Sequence, residues 1–336
     1  MTISQDNMLA WRVPQFGNFK DVLQLECCTP PNLQPGQTLI RVEAVGLNFL
    51  DILAIAGKYQ ERGALPFIPG VEAAGQVVEA GPESPFQIGD RVMTVADGAC
   101  AEFMVVGPEN TFLLPGGMTA ADGAAFQLTY QTAHMALVHR ARLQAGEWLL
   151  VHAGAGGVGT AAIQIGQALG ARVMATAGSD AKLEICRLAG AEAVINYRED
   201  PFPKRILDLT EGRGADVICD PVGGAVFDES TKCIAFEGRI ITIGFASGRI
   251  PSIAANRILL KNMDIIGLFW GNYKHFDVPR IARTQSALSD LWNAGKIKPV
   301  IYRQFEFEDF PAALAALAGR KSYGKIIVNG PRDRLH

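Results

Sequence analysis

The residues with the clearest chemical use lie between Glu147 and Gln164, in the stretch EWLLVHAGAGGVGTAAIQ. Gly154, Gly156 and Gly159 stand at G-x-G-x-x-G spacing, with Gly157 and Val158 between the last two. Such a loop suits a pyrophosphate. The first glycine permits a tight turn, the second lets backbone approach the anion, and the third lets a helix pack closely on a sheet. The anion rests on amide N–H groups at the positive end of the following helix. An ordinary strand-to-helix loop has the same composition, so the motif implies dinucleotide binding only if the flanking elements build the rest of the unit.

Those elements can be read from the chain. Trp148–His152, Val173–Ala177, Ala193–Asn196, Val217–Cys219, Ile240–Ile243 and Ile265–Leu268 read as strands. Helix-like segments lie between them, at Gly157–Leu169, Asp180–Ala189, Phe202–Thr210 and Val226–Ala235. Six strands with helical crossovers describe two βαβαβ halves, the doubly wound dinucleotide fold. Before them, to about Phe126, short apolar segments alternate with Pro and Gly: Thr38–Val45, Val71–Glu79, Arg91–Val95 and Cys100–Val106. This predicts a small, mostly β domain, with Gly46–Tyr59 and Leu65–Gly75 standing apart from its strands. After Phe269 come a long helix, Val278–Ala294, a strand, Ile301–Phe305, a short helix, Phe310–Ala318, and a last strand, Lys325–Val328. The expected division is 1–127 completed by 270–336, with 128–269 as the dinucleotide domain.

Composition sets outer limits. The 336 residues carry 31 basic and 34 acidic side chains, for a net charge of -3, and no basic cluster marks a nucleic-acid surface. The start, MTISQDN, lacks the features of a secretory signal. Trp148–Ala171 has no Asp, Glu, Lys or Arg, but six glycines split it into strand, loop and helix, so no membrane span is expected. Six cysteines without C-x-x-C spacing or a nearby His pair read as free, mostly buried thiols of a cytoplasmic protein.

With these elements in order, Gly146, Glu147, Gly156-Gly157-Val158-Gly159 and Gln164 resemble the quinone oxidoreductase, or zeta-crystallin, signature of the medium-chain dehydrogenase/reductase superfamily. Gln167 departs from it, since the pattern has Lys or Arg there. The resemblance covers essentially the whole chain. It implies an α/β protein with a GroES-like, mostly β catalytic domain and a doubly wound Rossmann domain on a six-strand parallel sheet. It also implies hydride transfer from NADPH to a quinone or an activated alkene. Zinc-dependent members of the superfamily carry Cys, His and Cys where this chain has Asn48, Val71 and a position near Gln127, and only Cys100 lies near their four-cysteine lobe. Zinc independence is therefore expected.

The second strand ends in Thr176-Ala177-Gly178-Ser179, without the acid that accepts ribose hydroxyls in NAD sites. By resemblance Ser179, Lys182 and Tyr197 bind the 2′-phosphate of NADPH. Alternatively Ser179 or Asp180 caps the next helix and Lys182 is solvated, or Asp180 binds a ribose, which favours NADH. Asn48 is read as a neutral amide donor to a quinone or enone carbonyl, or to the nicotinamide, and otherwise as a turn residue. Tyr59 matches a cleft tyrosine whose phenol serves a developing enolate; Leu53 replaces a second tyrosine. Asp51 is read as a helix cap ahead of any catalytic use. Thr132, Gly244, Phe245, Phe269, Trp270 and Asn329 match further cofactor contacts, although Thr132 suits a helix start and the aromatics suit a core. A homodimer is expected, since Ile265–Leu268 otherwise leaves an apolar sheet edge exposed. Two other functions fit the same residues: an enoyl or enone reductase with little quinone activity, and a non-catalytic NADPH-binding protein with a structural or sensing role.

Overall fold

The computed structural model describes residues 7–60 and 63–332. The chain forms two compact units, one of Met1–Leu128 with Ile301–His336 and one of Thr129–Val300. In chain order the strands of the first unit are β1 (Met8–Arg12), β2 (Gln24–Cys28), β3 (Thr38–Leu47), β4 (Glu72–Ala80), β5 (Arg91–Val95), β6 (Phe103–Val106) and β7 (Thr111–Leu113). The second unit holds β8 (Trp148–Val151), β9 (Arg172–Ala177), β10 (Ala193–Asn196), β11 (Ala215–Asp220), β12 (Ile234–Thr242) and β13 (Asp264–Gly267). The chain then returns to the first unit as β14 (Ile301–Phe305) and β15 (Lys325–Asn329).

In the first unit β1 and β2 form an antiparallel pair, and the other strands form a sheet in the order β14-β15-β3-β4-β5-β7, with β6 also paired to β3. β3 is the axis of this sheet, because Ile40, Val42, Val45 and Leu47 enter a core with Trp11, Val77, Phe307, Phe310, Ile326 and Val328. Burying each of the larger side chains stabilises the unit by roughly 1.5–3 kcal/mol. Register then decides what meets at one end of β3. Leu47 pairs with Ile326 of β15 and Val45 with Ala73 of β4. The next residues out, Asn48, Lys325 and Glu72, are thereby brought together.

The second unit is a parallel sheet in the order β10-β9-β8-β11-β12-β13. Numbered within the unit this is 3-2-1-4-5-6, the doubly wound arrangement. β8 and β11 are buried along their whole length, as expected for parallel strands covered by helices on both faces. The crossovers include Gly157–Ala168, Asp180–Leu188, Phe202–Leu209 and Gly224–Cys233. A further helix, Ala255–Lys261, joins β12 to β13.

The boundary differs from the sequence reading, which gave 270–336 to the first domain. Residues up to Val300 belong with the parallel sheet. A buried polar chain ties this segment to the unit: the Trp270 indole N–H donates to Gln131 Oε1 (2.9 Å), and Gln131 Nε2 donates to Gln285 Oε1 (2.9 Å) of the helix Val278–Asn293. Among the described residues no helix is long and apolar enough to cross a membrane. None of the six cysteines is in a disulfide; four are buried, with Cys27 exposed and Cys28 half-buried.

Candidate functional site

β8 delivers the chain to the glycine loop through His152, which is buried. Its Nδ1 lies 3.0 Å from Thr176 Oγ1 of β9 and its Nε2 lies 2.8 Å from Ser230 Oγ of the helix Gly224–Cys233. Burial pushes its pKa down to about 3, so a neutral ring pins the loop to two neighbours. In the tight turn expected around Gly154, the left-handed residue is Ala153, at φ 49°.

Gly154 is required for space: a Cβ there would lie 2.8 Å from the Ala175 Cβ and 2.9 Å from the Cys186 Sγ. At Gly159 a Cβ would lie 2.3 Å from the Ala153 carbonyl oxygen and 2.7 Å from that of Gly154, so the helix Gly157–Ala168 starts directly on the loop backbone. Gly156 differs from both. A Cβ there would meet only the Ala153 oxygen, at 3.2 Å, and its other side is open. Gly156, Gly157 and Val158 are all partly exposed at the helix start. The first-turn N–H groups of a helix have no intrahelical acceptors and carry its positive dipole end. A cradle cleared of Cβ atoms in front of such donors fits a pyrophosphate.

The next corner is set by sheet pairing. Ala177 at the end of β9 faces Asn196 at the end of β10, so Tyr197 follows beside Gly178. A Cβ on Gly178 would lie 2.6 Å from Tyr197 Oη and 3.1 Å from Arg198 Nε. Ser179 occupies the cap position of the helix Asp180–Leu188, but its side chain makes no cap hydrogen bond. Ser179 and Tyr197 are exposed and Lys182, one turn into the helix, is half-buried. The sheet thus gathers Ser179, Lys182 and Tyr197 at the tips of β9 and β10, and it adds Arg198, which the sequence reading omitted.

On the other side of β8, Asp220 at the end of β11 accepts from Val222 N (2.8 Å) and Gly223 N (2.9 Å) through Oδ1, while Oδ2 is buried without a partner. Burial raises its pKa. The loop carrying Gly244 and Phe245 lies over this turn, with Ala246 N donating to Pro221 O (3.1 Å) and Ser247 N to Val222 O (3.0 Å). Phe245 is exposed and Phe269 half-buried. Trp270 is buried with its N–H committed to Gln131, and Thr132 is buried beside Gln131. Of these aromatics, Trp270 is therefore built as core.

In the first unit Asn48 precedes the helix Phe49–Ile55, and its backbone N–H donates to Asp51 Oδ2 (2.7 Å). Asp51 is buried, its Oδ1 has no partner, and burial pushes its pKa up to about 7. The Asn48 side chain is engaged within the unit. Nδ2 donates to Gly46 O (3.0 Å) and Glu72 Oε2 (2.9 Å), while Oδ1 accepts from Lys325 Nζ (2.7 Å). Both amide protons have acceptors inside the protein, the Gly46 carbonyl and the Glu72 carboxylate. Lys325 also donates to Leu47 O and Glu72 Oε2, both at 2.9 Å, and Glu72 Oε1 accepts from Leu128 N (2.8 Å). Tyr59 and Leu53 are partly exposed, and Asn329 pairs with Ala44 of β3 at the end of β15. Gln127 is buried with Nε2 on Asn110 O (2.8 Å). Among the described residues no three His, Cys, Asp or Glu converge to hold a metal ion.

Two family models match the chain: an alcohol dehydrogenase GroES-like domain over residues 34–142 and a zinc-binding dehydrogenase model over 157–285. The second match includes none of positions 48, 71 and 127. Quinone oxidoreductase-like protein 2 of Bos taurus is 38% identical over 322 residues, covering 95% of this chain and 92% of its own. The structure of Escherichia coli quinone oxidoreductase complexed with NADPH is 26% identical with a TM-score of 0.88, covering 96% and 99% of the two chains. The CurK enoyl reductase structure is 28% identical with a TM-score of 0.87, covering 97% and 100%. The chain therefore belongs to the medium-chain dehydrogenase/reductase superfamily, among its quinone oxidoreductase-like members.

Proposed function

We propose that this protein is an NADPH-dependent oxidoreductase that reduces quinones or activated alkenes without zinc. The observation that carries the reading is the glycine cradle on β8, followed by a β9 tip that has Ser179, Lys182 and Tyr197 in place of an acid. The Escherichia coli relative seen with NADPH supports it. NADPH supplies the hydride when bound. The chain's own residues do the rest. Lys182, Ser179 and Tyr197 hold the 2′-phosphate, each charged hydrogen bond contributing roughly 1.5–3 kcal/mol.

Tyr59 offers a phenol to the acceptor oxygen as negative charge develops there. Zinc independence rests on the donor set, since Asn48, Val71 and Gln127 supply neither thiolate nor imidazole. Steady-state oxidation of NADPH with a quinone panel, beside enones and enoyl thioesters, tests the function. Inactivity with every acceptor would sink it, and turnover of alkenes alone would select the enoyl-reductase alternative, which the similarity to CurK supports. We also propose a homodimer through the β13 edge and the helix Ala255–Lys261 that leads into it, whose Leu259 and Leu260 are 73% and 77% exposed. Sedimentation as a monomer at micromolar concentration would overturn that.

A further inference from the structure

We infer that the second unit carries a ligand site apart from the glycine cradle: a surface cavity between the helices Gly224–Cys233 and Ala255–Lys261 that takes a small organic monocarboxylate on Arg257. The cavity has a volume of about 400 Å³, within the range of ligand pockets. None of the residues assigned above to NADPH or to the acceptor lines it. The cations around it are not equivalent. Lys232 Nζ is paired with Glu229 Oε1 at 2.6 Å, and Arg249 is paired with Asp228. Arg257 has no acidic partner among the described residues.

Arg257 is also held in place. Its Nη1 donates to Thr231 Oγ1 (3.0 Å), and that hydroxyl donates to Asp228 O (2.7 Å), one turn back in its own helix. A hydroxyl has one proton, so the buried Thr231 acts on Arg257 as an acceptor alone. This contact fixes one arm of the guanidinium, and its other N–H groups have no acceptor among the described residues. A planar fork held by one arm matches a carboxylate, which takes two parallel N–H bonds. The lining decides the rest of the ligand. Phe227 and Ile253 suit an apolar body. Asp228 and Glu229 also line the cavity, each balanced by its own cation, which leaves the Arg257 charge for one anionic group. A phosphate dianion would bring a second negative charge against two carboxylates.

The test is an NMR titration of the protein with benzoate, its neutral counterpart benzamide, and phenyl phosphate, run with saturating NADP⁺ and again without it. Benzoate is expected to bind about 10-fold tighter than benzamide, the low end for a charged hydrogen bond because Arg257 is exposed. Arg257→Gln should remove that preference. Ala254→Asp should remove it too, by setting a third carboxylate on the lining; Ala254 is exposed at the cap position of the helix Ala255–Lys261, where aspartate favours the fold. The absence of benzoate binding, equal affinities for benzoate and benzamide, or a full preference in either variant overturns the site. Tighter binding of phenyl phosphate than of benzoate overturns the monocarboxylate class. The ratio should be the same with and without NADP⁺, and loss of benzoate binding when NADP⁺ is added would place the anion in the glycine cradle and overturn the separate site.

Discussion

Gly156→Ala separates binding from folding within one loop. Gly156 sits at φ -79° and ψ 173°, a conformation open to any residue, and an added Cβ would meet only the Ala153 oxygen at 3.2 Å. Relief needs a shift of a few tenths of an ångström. Together with the poorer helix cap that alanine makes, the cost is about 1 kcal/mol, which lowers Tm by roughly 2 °C in a chain of this size. The same methyl lies where a phosphate must approach the first-turn N–H groups. Losing one charged hydrogen bond, roughly 1.5–3 kcal/mol, weakens NADPH binding by about 10- to 150-fold.

Gly159→Ala is the contrast, since its Cβ would lie 2.3 Å and 2.7 Å from two backbone oxygens of the loop. Backbone must then move by about 1 Å, an overpacking cost of roughly 3 kcal/mol or more. Thermal unfolding and NADPH calorimetry on both variants check this. A folded Gly156→Ala protein with unchanged NADPH affinity refutes the placement of the anion. A Tm loss as large as that of Gly159→Ala refutes the steric reasoning.

Lys182→Ala should weaken NADPH about 10- to 150-fold and leave NADH affinity alone; equal losses for both would reassign Lys182. Asp51→Asn should stabilise the protein more at pH 8 than at pH 5. The native state raises this carboxyl from 3.8 to about 7, so its stabilising effect is full below pH 3.8 and is lost as pH rises through about 7. Asparagine keeps an acceptor for the Asn48 N–H, and urea denaturation should show a gain about 2–3 kcal/mol larger at pH 8; the same change at both values would contradict the burial argument. Glutamates at Leu259 and Leu260 should convert a dimer to monomers in sedimentation, and a persistent dimer would place the interface elsewhere.

The parallel sheet was legible because its signals are local. Apolar runs such as Trp148–Val151 and the glycines after them lie within one turn of the elements they specify. The Asn48 cluster was not, because its partners are 24 and 277 residues away and meet only through the register of β4 and β15 on β3. A side chain's type says that it can donate; only its neighbours say whether its protons are already taken. The same limit applied to Ala153, whose left-handed backbone in the loop its residue type does not announce. It applied also to the unit boundary, since the Trp270–Gln131–Gln285 contacts that tie residues after Phe269 to the parallel sheet leave no mark on composition. β2 was missed for a different reason: it is mostly exposed and shows no alternation.

The insertion of β15 between β14 and β3 has a consequence for biosynthesis. The second unit is continuous and is fully translated once Val300 has been made. The first cannot close its sheet until Lys325–Asn329 emerges, some 200 residues after Leu128. At roughly 5–20 residues per second, that is a wait of about 10–40 s with a sheet edge open and the Glu72 carboxylate lacking its cation. The earliest-made part of the protein is the last to be completed, and the ribosome sets the interval during which β3 must be kept from pairing with anything else.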